Sequence, residues 1–115
     1  MKKSDNDYMN NQSPKISDGK PYIICAAIWF KDENIHVHQP RNIISGLVVA
    51  GRRHHNCYLT AFALKDQEFI EKLDNVQGFI TSDDRFLDRK EAGKLALEVG
   101  QIEKVTECLF SEDIY

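Results

Sequence analysis

The sequence lacks a long apolar segment and has few cysteines. No stretch approaches the roughly 18 apolar residues of a membrane span, and no apolar signal-peptide core follows Lys2 and Lys3. Cys25, Cys57 and Cys108 are odd in number, far apart and in no C-x-x-C pair. That spacing gives no sign of a disulfide framework or a cysteine-rich zinc site. We therefore predict a cytoplasmic protein with reduced cysteines.

The chain also lacks an excess of positive charge. Its formal net charge is -3 at pH 7, which argues against a protein that coats polymeric nucleic acid, because such binding needs a broad basic surface. The basic residues are nevertheless clustered, and two short stretches hold Arg52, Arg53, Arg85, Arg89 and Lys90. A local basic site of this kind predicts a small anionic ligand.

Composition divides the chain into two parts. Residues 1–20 are mostly Ser, Asn, Asp and Lys, and we predict that they form a disordered leader. Residues 21–115 suffice for a single α+β ligand-binding domain, whose modest core leaves room for burial through oligomerisation.

Four segments have strand patterns. Residues 21–30 are apolar at nearly every position, which predicts a central strand buried on both faces or at an interface. Residues 35–38 alternate apolar and polar side chains, which predicts a short edge or hairpin strand. We expect a strand over 43–51, bent or bulged at Gly46, and a hairpin or extended loop over 78–88.

Two segments have helical patterns. Apolar residues recur at spacings near three and four over 56–74, which predicts one amphipathic helix. Asp88 followed by Glu91 predicts a capping box at the start of a second helix, which Gly100 ends. The sequence therefore predicts an α+β fold: a small antiparallel β-sheet with two C-terminal helices packed on it.

Both basic stretches fall where a helix is expected to begin. The guanidinium group of arginine can donate hydrogen bonds to two phosphate oxygens at once. The unpaired N–H groups at the start of a helix also bind anions. "GRRHHN", residues 51–56, lies at a strand-to-helix junction, and Arg89 and Lys90 occupy the first turn of the second helix. Both stretches are thus candidate anion sites, although solvated side chains alone would give the same pattern.

Metal binding and nucleophilic catalysis are the competing interpretations. His36 and His38 share one face of the expected short strand, and His54, His55 and Cys57 could complete a tetrahedral zinc site. These residues lie on separate elements, so we predict no metal and no cofactor. Cys57 has histidines nearby in sequence, but adjacency does not supply the directed hydrogen bond that a nucleophile needs. We predict no catalytic residue.

Four blocks in order carry a resemblance to a known family. "CAAIWF", "AGRRHHNC", "GFITSDDRFLDRKEAGKLALEVGQI" and "LFSEDIY" resemble small phage and prophage proteins of the first family of anti-Thoeris sponges. The similarity spans about 22 to 115, and residues 1–20 and 32–42 lie outside the pattern.

The resemblance implies a non-enzymatic decoy in the host bacterial cytoplasm. Proteins of this family bind glycocyclic ADP-ribose, which bacterial TIR-domain defence enzymes make, and some relatives bind cyclic di- and trinucleotides. The family assembles through dimers into larger oligomers. The implied partners are therefore cyclic nucleotide signals and the protein itself, as a homodimer or a hexamer, without polymeric nucleic acid or a membrane.

With this ligand class, we predict that the two basic stretches meet across a subunit boundary. Arg53 with His54, and Arg85 with Arg89, would then clamp the phosphates of one cyclic nucleotide, with Phe79 near a base. The full predicted ligand-binding set is Arg53, His54, Asn56, Phe79, Thr81, Arg85 and Arg89.

Two alternatives to a sponge remain at this point. The first is a small metal- or nucleotide-dependent phage enzyme, for which His54 or His55 is the candidate base. The second is a protein-binding inhibitor of a host defence factor.

Overall fold

Within residues 19–114, the fold has four strands and three α-helices. The computed structural model describes residues 19–114, so residues 1–18 of the predicted leader lie outside the described part. The elements in chain order are β1 (Ile23–Phe30), β2 (Leu47–Gly51), α1 (His54–Leu64), α2 (Gln67–Glu71), β3 (Asn75–Thr81), β4 (Phe86–Asp88), α3 (Arg89–Glu98) and a 3₁₀ turn (Ser111–Asp113). The predicted α+β class is confirmed.

The strands form one antiparallel sheet in the order β2-β1-β3-β4. The apolar run of residues 21–30 supplies the inner strand β1, as predicted. Ala26 of β1 lies opposite Gly51 of β2 on one side and opposite Phe79 of β3 on the other. An inner strand needs apolar side chains on both faces, which explains why this run does not alternate.

The core lies between one face of the sheet and helices α1 and α3. Side chains from all three elements are fully buried there, namely Ala26, Ile28, Phe30, Cys57, Ala61, Ala92 and Ala96. The helical contributions are small, so both helices approach the sheet closely and the large residues Ile28 and Phe30 fill the space between them. The predicted packing of helices on one side of the sheet is confirmed by α1 and α3, although the first predicted helix is divided into α1 and the short α2.

The other face of the sheet is covered by the chain itself. Gln39 Oε1 accepts a hydrogen bond from Val48 N of edge strand β2 at 2.7 Å. Asn42 exchanges two hydrogen bonds of 2.8 Å with the backbone of Phe86 in the opposite edge strand β4. Residues 39–42 therefore form a strap from edge to edge, and Pro40 within the strap is buried. Because the strap forms hydrogen bonds with backbone groups of both edge strands, it also hinders these strands from pairing with other chains.

The predicted strand over 35–38 is wrong. The carboxylate of Asp32 accepts hydrogen bonds from Asn34 N at 2.8 Å and from His36 Nε2 at 3.0 Å. His38 has a positive φ of 59°, a conformation that a continuous strand does not contain. These local bonds turn the chain toward the strap instead.

The single helix predicted over 56–74 is also wrong. The chain is extended at Lys65, with φ -137° and ψ 160°, and this residue separates α1 from α2. The buried residues of α1 are His54, Cys57 and Ala61. Leu59, which belonged to the predicted apolar stripe, is 61% exposed. The helix is therefore rotated relative to the predicted stripe.

The strand expected over 43–51 is shorter than predicted. It begins at Leu47, because Gly46 has a φ of +94° and lies in the turn before it. A Cβ at Gly46 would overlap Trp29 Nε1 and lie 2.7 Å from the carbonyl oxygen of Phe30, so this position has no room for a side chain.

The observed hairpin and the last helix agree with the predictions made from the sequence. β3 and β4 flank the turn at 82–85. Asp88 Oδ1 accepts a hydrogen bond from Glu91 N at 2.8 Å, and Asp88 N donates to Glu91 Oε1 at 3.1 Å. This reciprocal pair is the predicted capping box of α3. Gly100 follows the helix with a φ of 84°. Over residues 19–114, every helix is too short or too polar to cross a bilayer.

Candidate ligand-binding site

The start of α1 presents the first basic stretch. Arg53 is the extended residue that precedes the helix, and its N–H donates to Asn56 Oδ1 at 3.1 Å. Arg52 is exposed, whereas the Arg53 side chain is 27% exposed and turns toward the C-terminal end of the chain. "GRRHHN" is therefore a strand-to-helix junction, and Asn56 stabilises its geometry.

His54 lies beneath this junction with both ring nitrogens in use. Nε2 is 2.8 Å from the carbonyl oxygen of Gly78, which can only accept, so Nε2 carries the proton. Nδ1 then accepts from Arg89 Nη2 at 3.3 Å. The ring also packs edge-to-face on Phe79, with centroids 5.2 Å apart. His54 thus links α1, β3 and α3.

The charge of the site comes from its arginines and not from His54. Burial lowers the pKa of His54 below the ordinary histidine value, and the nearby Arg89 guanidinium lowers it further. The hydrogen bond to Gly78 and the Glu112 carboxylate oppose this effect and are outweighed. The imidazole is consequently neutral at pH 7 and acts as a hydrogen-bonding support.

Arg89 is the best-oriented cation of the site. Its guanidinium carbon lies 4.5 Å from the centre of the Phe110 ring, a cation–π contact. One terminal nitrogen faces His54, while Nε is buried and has no hydrogen-bond partner within residues 19–114. A buried donor without an acceptor is costly. An anion that reached Nε would remove that cost.

These residues surround a cavity of about 360 Å³ between the starts of α1 and α3 and the C-terminal segment, residues 109–114. The volume lies within the usual range for small-molecule sites. The positive ends of two helix dipoles reinforce the arginine charges here. The lining residues are Arg53, His54, His55, Arg89, Phe110, Ser111 and Glu112.

The structure brings together three members of the predicted set. Arg53, His54 and Arg89 meet within one chain. The meeting of Arg89 with the first basic stretch therefore needs no subunit boundary, and a contribution from a second chain stays a prediction. The cause of this meeting is the β3–β4 hairpin, which places Asp88 opposite Gly78 and so brings the start of α3 beside His54.

Four other members of the predicted set lie outside the cavity, and the first of them is Asn56, which bonds the Arg53 backbone as described above. Phe79 is fully buried and supports His54, so the expectation that it lies near a base is incorrect for this chain. Thr81 is 1% exposed, and its hydroxyl bonds Asp83 in the hairpin turn. Arg85 Nε donates to Asp83 Oδ2 at 2.8 Å in the same turn. A ligand-binding role for Arg85 stays a prediction.

Comparison with known proteins identifies a phage family. The family model described as phage T4 y16D protein matches residues 22–115. The chain belongs to this family. Neither a curated protein nor a solved structure matches the chain. The match to the T4 y16D family includes every residue that lines the cavity.

Sequence reasoning missed the C-terminal half of the site. Phe110 and Glu112 enter the cavity because Leu109 is fully buried and its N–H donates to the carbonyl oxygen of Arg89 at 3.0 Å. The segment 101–110 has no regular element, so no periodicity could reveal this contact. Although the family resemblance included "LFSEDIY", that block gave no indication of a role at the site.

The alternative chemistries find little support in this arrangement. His36 bonds Asp32 near the strap, whereas His54 lies beneath α1. Within the described residues no three His, Cys, Asp or Glu side chains are grouped to hold a metal ion. Burial raises the pKa of Cys57 to about 11, so this thiol is protonated and unreactive at neutral pH.

Two larger cavities lie beside the loop at 101–107. Their volumes are about 470 and 520 Å³. Among the described residues that line them, none has a buried side-chain nitrogen or oxygen that lacks a hydrogen-bond partner, as Nε of Arg89 does. The cavity that Arg53 and Arg89 line is therefore the stronger candidate site.

Proposed function

We propose that this member of the phage family binds cyclic nucleotide immune signals in the host bacterial cytoplasm and thereby withholds them from the defence effector. The observation that carries the proposal is the pairing of Arg53 and Arg89 beside the half-exposed ring of Phe110 in one cavity. The sequence resemblance to anti-Thoeris sponges supplies the ligand class, namely glycocyclic ADP-ribose and cyclic di- or trinucleotides.

The two arginines match the phosphates of such a ligand. Arg53 and Arg89 both line the cavity, and Nε of Arg89 is buried without a hydrogen-bond partner among residues 19–114. Each charge-assisted hydrogen bond to phosphate is worth about 1.5–3 kcal/mol. The ring of Phe110 is 46% exposed, and a nucleobase can stack on an exposed aromatic face.

The site also supports a binding role without catalysis. A general base needs a free lone pair, but both nitrogens of His54 already bond to protein groups. His55 is exposed at the rim, where Asn56 lies 3.4 Å from its ring. We therefore propose a decoy that returns its ligand unchanged.

Self-association is part of the proposal. The strap covers the second face of β1, so that face does not require a partner. Apolar surface is instead exposed around the strap, where Ile35, Val37 and Ile44 are 80%, 77% and 85% exposed. Surface of this kind supports contact with a second copy. Light scattering is expected to give a homodimer or a multiple such as a hexamer, and a monomer at micromolar concentration would contradict this.

Calorimetric titration with glycocyclic ADP-ribose tests the binding site. We expect Arg53→Ala and Arg89→Ala each to weaken binding at least about tenfold, since about 1.4 kcal/mol corresponds to one decade of affinity. Arg52→Ala is the matched control, because Arg52 has the same charge and adjoins Arg53 but does not line the cavity. It should change affinity less than about threefold. Equal binding by all three variants would refute the assigned site.

Two further measurements separate the sponge from its alternatives. Mass spectrometry of the ligand after incubation and heat release should find it intact, whereas an enzyme would leave a product. A pull-down from host lysate that captures a defence protein, combined with no binding of any cyclic nucleotide, would favour a protein-binding inhibitor instead.

A further inference from the structure

The C-terminal segment places a carboxylate of the protein itself at the anion site. Leu109 anchors the segment in the core, and Ser111 is 2% exposed. Phe110 N donates to Asp113 Oδ2 at 2.9 Å, and Asp113 N donates to the Phe110 carbonyl oxygen at 2.9 Å. These bonds fix the turn that contains Ser111 and Glu112, and both residues line the cavity.

Glu112 forms an ion pair with Arg53 at the cavity. Its Oε1 is 3.9 Å from Arg53 Nη1 and 3.1 Å from Ser111 Oγ. Its own backbone N–H, the Ser111 hydroxyl and the charge of Arg53 lower the pKa of the carboxyl group, so it is ionised at pH 7. The side chain is 75% exposed, and it can leave Arg53 without disturbing the core.

We propose that Glu112 is an internal counter-ion that occupies the phosphate position at Arg53 and that a ligand phosphate must displace. This inference rests on the proposed function, because it concerns the same cavity. A ligand that engages Arg89 alone does not meet this competition. A pyrophosphate group that reaches from Arg89 to Arg53 does.

The consequence is selectivity by competition. Two arginines beside an aromatic ring would attract many phosphorylated metabolites, and a carboxylate held at Arg53 lowers the net charge that they meet. Only a ligand that also gains the contacts of Arg89 and Phe110 compensates for the displaced ion pair. Glu112 thus weakens the binding of every anion that reaches Arg53, and an anion with no other contact is then held too weakly to fill the site.

The test is a double-mutant cycle on Arg53 and Glu112. Glu112→Gln keeps the size and removes the charge, and we expect glycocyclic ADP-ribose to bind about two- to fivefold more tightly, as is typical of an exposed ion pair. In the Arg53→Ala background the same change should have no effect. Glu107→Gln, an equal charge change on an exposed residue that does not line this cavity, is the control and should leave affinity within about twofold.

A second titration with inorganic pyrophosphate separates this inference from the proposed function. If the cyclic nucleotide does not bind the parent protein, the proposed function fails, but tighter pyrophosphate binding by Glu112→Gln would still support the counter-ion. Unchanged affinity of Glu112→Gln for both probes overturns the counter-ion. Weaker binding also overturns it, because Glu112 would then contact the ligand directly. Failure of Glu112→Gln to bind pyrophosphate at all counts against it as well.

Discussion

His54 supports the site through two hydrogen bonds, and its replacement should reveal both a stability cost and a pH dependence. His54→Leu keeps a similar volume but removes the donor to Gly78 and the acceptor for Arg89. The carbonyl oxygen of Gly78 then has one partner fewer in a buried place, which costs about 1–3 kcal/mol. We expect this loss in the free energy of unfolding by urea at pH 8.

The cost should shrink as the pH falls. Burial lowers the pKa of His54 in the folded state, so between the folded and unfolded pKa values the unfolded chain binds more protons. The stability that neutral His54 contributes is complete above about pH 6.5, the unfolded value. It declines as the pH falls toward the folded value, by at most about 1.4 kcal/mol per pH unit for one proton.

Urea titrations of both proteins between pH 5.5 and 8 provide the measurement. The difference between parent and His54→Leu should narrow toward pH 5.5, because the other titrating groups are common to both. His55→Gln is the control, since His55 is exposed and its loss should cost less than about 0.5 kcal/mol at every pH. A difference that stays constant from pH 8 to 5.5 would refute the assignment of a buried, neutral His54.

Three further predictions concern single contacts. Asp88→Ala should destabilise the protein by about 1 kcal/mol in urea, and Asp88→Ser should recover most of it, because the cap needs a side-chain acceptor; equal losses would contradict the cap. Asn42→Ala removes both side-chain bonds from strap to β4 and should cost about 1–3 kcal/mol by the same assay, whereas an unchanged midpoint would mean that the strap contributes nothing. Phe110→Ala should weaken binding of glycocyclic ADP-ribose by about fivefold or more through lost base stacking, while Phe69→Ala, also exposed but outside the cavity, should not.

The sequence predicted those elements that are determined by contacts between residues close together in the chain. The Asp88 and Glu91 pair determines the start of α3 by bonds three residues apart, and the apolar run of β1 reflects burial on both faces. The strap was not predictable, because alternation at 35–38 looks like a strand until the bonds of Asp32 are known. The break at Lys65 likewise carries no Gly or Pro to mark it.

The residues of the candidate site likewise fall into those that local sequence signals predict and those that depend on contacts between distant parts of the chain. Arg53, His54 and Arg89 could be predicted, since basic residues at two expected helix starts indicate an anion site. The burial of Phe79 depends on the register of β3 against β1, which the residues alone do not reveal. Phe110 and Glu112 enter the cavity through the anchoring of Leu109 near α3, a contact between distant parts of the chain that has no sequence pattern.

Depletion of free signal by the purified protein tests the central claim most directly. Glycocyclic ADP-ribose is mixed with a molar excess of protein, the mixture is ultrafiltered, and the free ligand and the ligand released by heat are measured by mass spectrometry. At a protein concentration about twice the Kd of the parent protein, we predict that the parent protein and Arg52→Ala remove most of the ligand from the filtrate and return it intact on heating, whereas Arg89→Ala leaves most of it in the filtrate. Ligand that stays free with the parent protein, or that Arg89→Ala depletes equally well, would contradict it.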